Sequence, residues 1–339
     1  MSEYDYWEGY YGSMIGELSD IDNLLENRSL DEIDRYIQGL RVETYDYKHT
    51  LNLPLYRARY AEGFDINNPE QFSYNHNTDC IKRHRYNKEK EAVLYTATNP
   101  LVAFKEIKED GKPDSFYLAV WKPRNKAHKF NLALNLNGSV VPMNSNAGRF
   151  NRILKKNTGA GSSQNQYLSM LGSILERSGA DYRFSSLLAS RILKGHDALM
   201  TTSLQSDGKE LNVTFNKQAT DDLLRLQHVY HCNVPQKDTL AFDVTEIGIR
   251  EGNTIEWFAW SVDLGSIVYN DSLSSSFKKE LHQAILTDKG IEQRVMRPNV
   301  IRDPRDWHDG IVVYKGSSYH IKFKILLEPK KVSLSGGTL

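Results

Sequence analysis

Four side chains along the first two thirds of the chain have types and an order that suit chemistry on a phosphate-bearing substrate. Arg85 offers a planar guanidinium that binds phosphate through paired hydrogen bonds. Tyr95 follows ten residues later and offers a ring for stacking, and Glu106, eleven residues further on, offers a carboxylate that stabilises developing positive charge. Ser203 offers a hydroxyl that positions a substrate. Because no His and Asp partner set accompanies it, we do not assign it as a nucleophile.

The start of a helix is predicted between Tyr95 and Glu106. Asn99 is a good N-cap, and Pro100 suits the first helical position. The helix is expected to extend through Ile107. Glu106 then lies at the edge of its apolar face, where partial desolvation strengthens the field of the carboxylate.

The rest of the chain shows a mixture of helical and strand patterns. A capping box at Ser29 and Glu32 predicts the start of an N-terminal helix. The stretch 136–165 is rich in Asn, Gly and Ser and is predicted to be a loop. Helices are expected at 18–26, 30–41, 165–177, 183–194, 219–229 and around 273–285. Strands are expected at 53–60, 92–97, 116–121 and 197–202, in a strand that ends at 215, at 240–249, at 255–262 and in a hairpin at 310–327 that turns at 316–318.

The length of 339 residues allows about two domains, or one large domain with extensions. We divide the chain into an N-terminal helical extension at 1–50, a central domain at 51–229 and a β-rich C-terminal region at 230–339. The C-terminal region can pack on the central domain, because no clear linker separates the two.

The order of these motifs resembles the RES-domain family over about residues 53–225. That family's pattern begins with an Arg-bearing strand and a Gly-Arg-aromatic-Asn string. A Leu-Tyr-x-Ala strand, a helix with Glu and a late Ser before an Asn-aromatic strand follow. His84 stands where the family has Gly, and the long gap between Glu106 and Ser203 implies an insertion. The resemblance implies catalytic roles for Arg85, Tyr95, Glu106 and Ser203, and substrate binding by Tyr56, Arg57 and Asn87.

The resemblance also implies a fold and a substrate. RES-domain proteins have an α+β fold with an ADP-ribosyltransferase-like core of two small mixed or antiparallel sheets and flanking helices, and many are toxins that degrade NAD. The central domain would then bind NAD as a substrate, without a cofactor or a metal, and a cognate antitoxin protein would block it. Arg85 and Arg57 would hold phosphate, Tyr95 would stack on nicotinamide, and Glu106 would stabilise the ribosyl cation.

Three functions stay open on the sequence alone. The first is cleavage of the nicotinamide–ribose bond of NAD, by hydrolysis or phosphorolysis, in a bacterial toxin or defence effector. The second is transfer of ADP-ribose to a macromolecular target, and the third is a non-catalytic binding module on the same scaffold. Taken singly, Tyr95 suits the core of a strand and Glu106 suits a solvated helix face, so it is their ordered co-occurrence that favours NAD chemistry.

Two further patterns compete with this assignment. The string at 148–151 matches Gly-Arg-aromatic-Asn better than 84–87 does, but it lies downstream of the Tyr and Glu positions. We interpret it as chance or as a loop on the rim of the site. Side chains that could bind zinc occur in two groups, which are Cys80 with His84, and His228, His231 and Cys232 at a helix end. Nothing in the sequence brings the two groups together, so no metal site is predicted.

Charge and hydropathy exclude several classes of protein. The 43 basic and 43 acidic residues give a net charge of zero, which argues against bulk nucleic-acid binding, although 82–85 forms a local basic patch. No apolar run reaches the ~18 residues of a membrane span, and the N-terminus has no apolar signal segment. Cys80 and Cys232 are too few for a disulfide framework, which predicts a cytoplasmic protein. The oligomeric state stays open.

Overall fold

The computed structural model describes residues 3–19, 28–40, 42–60, 63, 65–108, 115–136, 144–158, 162–176, 182–234, 242–300 and 302–330. Within these residues the protein belongs to the α+β class, with helices and both parallel and antiparallel strand pairs. No described helix combines the length and the apolar character needed to cross a membrane. The chain divides into two compact units. Unit 1 comprises Met1–Arg59, Glu70–Asp110 and Ala119–Gln227, and unit 2 comprises Tyr60–Pro69, Gly111–Leu118 and His228–Leu339.

The described helices and strands are numbered along the chain. The helices are α1 (Glu3–Ser19), α2 (Leu30–Gly39), α3 (Pro100–Lys105), α4 (Asn146–Thr158), α5 (Ser163–Leu175), α6 (Arg183–Leu193), α7 (Lys217–Leu223) and α8 (Ser275–Thr287). The strands are β1 (Tyr45–His49), β2 (Leu55–Arg59), β3 (Val93–Ala97), β4 (Ser115–Pro123), β5 (Phe130–Leu134), β6 (Ala198–Thr202), β7 (Leu211–Asn216), β8 (Leu224–Asn233), β9 (Asp243–Glu251), β10 (Thr254–Tyr269), β11 (Ile291–Val295), β12 (His308–Tyr314) and β13 (Ser317–Pro329).

Unit 1 contains a mixed sheet in the order β1-β5-β6-β7-β3-β2. Strands β5 and β6 are parallel, with Leu132 opposite Ala198, and the other neighbours pair antiparallel. All five residues of β6 are buried. A strand that is buried along its whole length is typical of a sheet covered on both faces.

Local sequence sets the start of two helices in unit 1 as predicted. The Ser29 hydroxyl accepts a hydrogen bond from the N–H of Glu32 at 3.4 Å, and the Glu32 carboxylate accepts one from the N–H of Ser29 at 2.9 Å. The capping box at α2 is therefore confirmed. At α3, Asn99 Oδ1 accepts a hydrogen bond from the N–H of Leu101 at 2.9 Å, and Pro100 occupies the first helical position.

Unit 2 is mainly antiparallel, as the C-terminal pattern predicts. Its strands follow the order β8-β9-β10-β13-β12-β11. The hairpin of β12 and β13 turns at Lys315 and Gly316, whose φ angles are 49° and 71°. Positive φ at both central residues gives a tight turn whose twist matches that of the strands. The turn begins one residue before the predicted 316–318. On α8, Leu281 and Ile285 are buried, as the helical spacing predicts.

The loop predicted at 136–165 is wrong over most of its length. Helix α4 fills 146–158, and α5 begins shortly after. Asn and Gly lower the intrinsic helix propensity of this stretch, but Phe150, Leu154 and Thr158 are buried at four-residue spacing. Burial of that face stabilises the helix and outweighs the propensity.

The helix predicted at 219–229 is confirmed up to 223 and is wrong beyond it. Helix α7 ends at Leu223, and strand β8 follows. Leu224 and Leu226 are buried on either side of the exposed Arg225, which is the period of a strand with one buried face. This alternation is present in the sequence and indicates a strand rather than the end of a helix.

The N-terminal fifty residues are not entirely helical. Strand β1 lies within them and pairs antiparallel with β5, with Tyr45 opposite Leu134. Helix α1 ends at Ser19, and the predicted helix at 18–26 falls largely outside the described residues. Strands β5 and β11 were not predicted.

Candidate functional site

Unit 1 contains a cavity of about 510 Å³. This volume falls within the range of sites that bind small ligands and cofactors. Its walls come from β2, the turn at 84–87, β3 and the end of α3. Six of the seven side chains predicted for catalysis or substrate binding line it: Tyr56, Arg57, Arg85, Asn87, Tyr95 and Glu106.

Two hydrogen bonds hold the Glu106 carboxylate at the cavity wall. The hydroxyl of Ser203 donates to Oε1 at 3.1 Å, and the amide of Asn212 donates to the same oxygen at 3.0 Å. Both donors are completely buried, whereas Glu106 is partly exposed. Ser203, the seventh predicted residue, therefore contacts the site through Glu106 rather than as part of the cavity lining.

Strand register explains why these residues meet. Asn212 on β7 lies opposite Ala97 at the end of β3 and opposite Thr201 near the end of β6. Ser203 follows β6 directly, and α3 begins a few residues after β3 and brings Glu106 back to the same strand ends. A register shift of one residue would turn Asn212 to the opposite face of the sheet.

A tight turn presents Arg85 to the cavity. The N–H of His84 donates to the carbonyl of Asn87 at 3.1 Å, and the N–H of Asn87 donates to the carbonyl of His84 at 3.4 Å. The side-chain amide of Asn87 also donates to the carbonyls of Lys82 at 3.0 Å and Lys88 at 2.8 Å. Asn87 therefore supports the loop from which Arg85 projects.

Aromatic rings flank the Arg85 guanidinium. Its Cζ atom lies 5.8 Å from the ring centre of Tyr86 and 5.9 Å from that of Tyr182, within the range of cation–π contacts. Burial lowers the pKa of Arg85, but Tyr86, Tyr95 and Glu106 raise that pKa by more, so the net pKa is above its ordinary value. Its buried Nε has no hydrogen-bond partner among the described residues. Arg85 thus brings a stable positive charge to the cavity.

Tyr95 is held in place by a neighbouring ring. Its ring centre lies 5.6 Å from that of Tyr86, with an angle of 21° between the ring planes. The hydroxyl of Tyr86 is in turn hydrogen-bonded to that of Thr201 at 2.9 Å. Burial and then the Glu106 carboxylate raise the pKa of Tyr95 well above its ordinary value. The phenol is therefore neutral at physiological pH, and its ring has a fixed position beside the carboxylate.

Strand β2 contributes Tyr56 and Arg57. Tyr56 is almost fully buried. Nη1 of Arg57 donates to the carbonyl of Tyr95 at 3.4 Å, whereas its buried Nε has no hydrogen-bond partner among the described residues. Burial and the charge of Arg59 lower the pKa of Arg57 to about 9. Arg57 is therefore still a cation at neutral pH, in surroundings that favour its neutral form.

Four residues of the site were not predicted. Asn212 stands in the Asn-aromatic strand that supports the family resemblance, and Tyr86 adjoins Arg85, so the sequence contains a signal for both. Arg59 lies two positions after Arg57 on the same strand, which is also detectable from strand periodicity. Tyr182 stands just before α6, far from the other residues in sequence, and no local pattern indicates its place in the cavity.

Most of the candidate zinc ligands lie in a short 3₁₀ turn or in a strand, and not at the end of a helix. Cys80 is exposed in a short 3₁₀ turn, and Cys232 is buried in β8. His228 and His231 also belong to that strand rather than to the end of a helix. Within the described ranges, no three or more His, Cys, Asp or Glu side chains are grouped so as to hold a metal ion.

The second Gly-Arg-aromatic-Asn string, at 148–151, lies inside α4. Phe150 packs edge-on against Tyr47 and His49 in unit 1. None of the four residues of the string belongs to the cavity wall. The alternative of a loop on the rim of the site is therefore wrong.

Comparisons with known proteins give a structural similarity of low extent. No family model matches the chain, and no curated protein matches it. Among solved structures, the chain is similar to a chain of the M. tuberculosis MbcT–MbcA toxin–antitoxin complex. The two are 12% identical with a TM-score of 0.33, and the match covers 62% of this chain and 98% of that chain. A similarity of this extent does not establish a family for the protein.

Proposed function

We propose that the protein cleaves the bond between nicotinamide and ribose in NAD. The observation that carries the proposal is the Glu106 carboxylate, oriented by Ser203 and Asn212 at the wall of a cavity that Arg85 and Tyr95 also line. A carboxylate, an aromatic ring and a guanidinium complement three parts of NAD. These are the ribosyl cation that forms during cleavage, the nicotinamide ring and the pyrophosphate.

The proposed step needs charge stabilisation more than proton transfer. The bond between C1′ of the ribose and N1 of nicotinamide breaks, its electron pair goes to the nicotinamide ring, and neutral nicotinamide leaves. The ribose develops oxocarbenium character, which the negative charge of Glu106 stabilises. An acceptor then forms the new bond to C1′ and releases its proton to solvent. Water gives hydrolysis, phosphate gives phosphorolysis, and a macromolecular nucleophile gives ADP-ribosyl transfer.

The other cavity residues would bind and orient the substrate. Arg85 stays charged because its pKa is raised, and its guanidinium lines the cavity, where it can donate to a phosphate oxygen. Tyr95 is neutral, and its stacking on Tyr86 fixes its ring before a ligand arrives. Such fixed positions reduce the entropy lost when the substrate reaches its reacting geometry.

The proposal extends to the biological role and the fold family. The motif order resembles RES-domain proteins, which favours an ADP-ribosyltransferase-like core, a toxin or defence role in the cytoplasm and a protein antitoxin that blocks the cavity. These parts of the proposal rest on the sequence resemblance, whereas the bond that is cleaved is argued from the cavity residues.

The experiment that tests the proposal incubates the purified full-length protein with NAD, with and without phosphate. Free nicotinamide and the ribosyl product are followed by chromatography and mass spectrometry. ADP-ribose as product identifies hydrolysis, a ribosyl 1-phosphate identifies phosphorolysis, and a labelled macromolecule from an added extract identifies transfer. Absence of nicotinamide release and of any labelled acceptor, with a folded protein, would overturn the proposal and favour a binding module.

A further inference from the structure

We propose that Glu176 is a positioning residue of the site, because it holds the end of β6 and so fixes the Ser203 hydroxyl that orients Glu106. Glu176 directly follows α5 and is almost fully buried. It does not line the cavity, and the proposed bond cleavage does not use it. The effect on catalysis rests on the proposed NAD cleavage, whereas the hold on the strand does not.

Glu176 contacts Thr202, the last residue of β6. Its Oε1 atom accepts a hydrogen bond from the N–H of Thr202 at 2.9 Å and a second one from the hydroxyl of the same residue. Both residues are buried. A carboxylate oxygen is a stronger acceptor than a neutral oxygen, and burial strengthens the hydrogen bonds further. One carboxylate therefore holds both the backbone and the side chain at the end of the strand.

The two neighbours of Thr202 face the other side of the sheet. Successive side chains of an extended chain point to opposite faces, and Ser203 continues the extended backbone of β6 with φ −87° and ψ 122°. The hydroxyl of Thr201 is hydrogen-bonded to that of Tyr86 at 2.9 Å. The hydroxyl of Ser203 donates to Glu106 at 3.1 Å. The strand end thus connects the buried carboxylate behind it to two parts of the cavity wall in front.

Strand register agrees with this assignment of faces. Asn212 lies directly opposite Thr201, so the two side chains share a face, and the amide of Asn212 donates to Glu106. A shift of Thr202 would therefore move both donors of the catalytic carboxylate relative to the cavity. A displacement on the order of 1 Å away from the reacting atoms can lower a rate by about 100-fold.

The cost of burying Glu176 also calls for a compensating role. A carboxylate that is removed from water destabilises the fold unless hydrogen bonds replace its hydration. The hydrogen bonds from Thr202 contribute to that replacement. The charge of Glu176 also reaches the site electrostatically. The pKa of Tyr86 is raised to about 12, first by burial, and Arg85 acts against this rise while Glu176 adds to it.

Steady-state kinetics of nicotinamide release by the full-length protein test the positioning role. Thr202→Val removes the hydroxyl, Glu176→Leu removes the acceptor, and Glu176→Gln keeps an oxygen for the N–H of Thr202. We expect the first two variants to lower kcat by about tenfold with KM within about twofold, and Glu176→Gln to retain part of the lost activity. The matched control Thr220→Val removes another buried hydroxyl, which donates to the carbonyl of Asn216 at 2.8 Å, and should leave kcat unchanged.

A double variant identifies the route from Thr202 to the carboxylate. In a Ser203→Ala background, Thr202→Val should lower kcat by much less than it does alone, because the hydroxyl through which it acts is absent. The same loss in both backgrounds would overturn action through Ser203. Equal kcat for Thr202→Val and Thr220→Val would overturn the positioning role altogether.

Amide hydrogen exchange separates a failure of this proposal from a failure of the proposed function. The N–H of Ser203 donates to the carbonyl of Glu210 at 2.9 Å. We expect it to exchange about tenfold faster in Thr202→Val than in Thr220→Val, because the strand end is no longer held. Equal exchange would overturn the hold on the strand. This measurement needs no turnover, so it decides the hold even if the unaltered protein releases no nicotinamide, a result that would overturn NAD cleavage alone.

Discussion

The side-chain amide of Asn212 lies 3.0 Å from the carboxylate of Glu106, although 106 positions separate the two residues in sequence. Asn212 is completely buried, and its Oδ1 atom has no hydrogen-bond partner among the described residues. A buried amide with an unsatisfied oxygen destabilises the fold. The amide nitrogen of the same side chain fixes the direction of the Glu106 carboxylate.

Replacement of Asn212 by Ala should reduce kcat for nicotinamide release by about 10- to 100-fold, with a smaller change in KM. The estimate follows from the loss of one hydrogen bond to a charged group, about 1.5–3 kcal/mol. The measurement is steady-state kinetics of the full-length variant, and Asn52→Ala, at an exposed position, is the matched control. An unchanged kcat with a large rise in KM would contradict a role in orienting Glu106.

Replacement of Tyr95 should separate the ring from its hydroxyl. Tyr95→Phe keeps the ring that stacks on Tyr86, so we expect kcat/KM within about threefold of the unaltered protein. Tyr95→Ala removes the ring and should reduce kcat/KM by about tenfold, which corresponds to the upper end of an aromatic contact. Equal losses in the two variants would show that the hydroxyl, rather than the ring, carries the effect.

Binding of NAD should weaken in alkaline solution. Burial and Arg59 lower the pKa of Arg57 to about 9. Arg57 is therefore charged below that pH and loses its charge as the pH rises through it. Because phosphate prefers the charged form, KM should be constant below the pKa and rise by up to about tenfold per pH unit above it.

Kinetics at a series of pH values measure this dependence. Arg57→Gln should show a raised KM with little further rise in the alkaline range, because the titrating group is absent. Cys80→Ser removes the thiol of the cavity wall and should leave the profile unchanged. A KM that stays flat across the alkaline range in the unaltered protein would contradict the assignment of Arg57.

The packing of unit 2 predicts an effect on stability. A Cβ atom at Gly248 would lie 2.6 Å from Cγ2 of Ile255 and 3.1 Å from the ring of Trp257. Gly248→Ala should therefore lower the free energy of unfolding by about 1–3 kcal/mol. Gly9→Ala, at a helical position with nothing within 4 Å of the added atom, should raise it by up to about 1 kcal/mol. Urea unfolding measures both, and a higher midpoint for Gly248→Ala would contradict the packing.

Parts of the site that depend on local sequence could be predicted. The Asn99–Pro100 cap sets the start of α3, and the mostly apolar run at 92–97 indicates the strand that carries Tyr95. The helix ends at Lys105 rather than extending through Ile107 as predicted, and Glu106 is the residue that caps its C-terminal end. The order of Arg85, Tyr95 and Glu106 along the chain predicts that they act together, and all three line the cavity.

Parts that depend on tertiary packing could not be predicted in the same way. The contact between Asn212 and Glu106 follows from the register of β3, β6 and β7, which local patterns do not determine. Tyr182 reaches the cavity through the position of α6, which packing sets. Helix α4 forms despite a sequence of low helix propensity, because its buried face stabilises it.

The most direct test compares nicotinamide release from NAD by the unaltered protein, by Glu106→Gln and by Glu256→Gln. Glu106→Gln keeps the shape of the side chain and an oxygen for Ser203 and Asn212 but removes the charge, while Glu256 is an exposed carboxylate on β10 in unit 2. The account predicts release by the unaltered protein and by Glu256→Gln, and a rate lower by about 100-fold or more for Glu106→Gln. Equal rates for all three proteins, or no release by any of them, would contradict it.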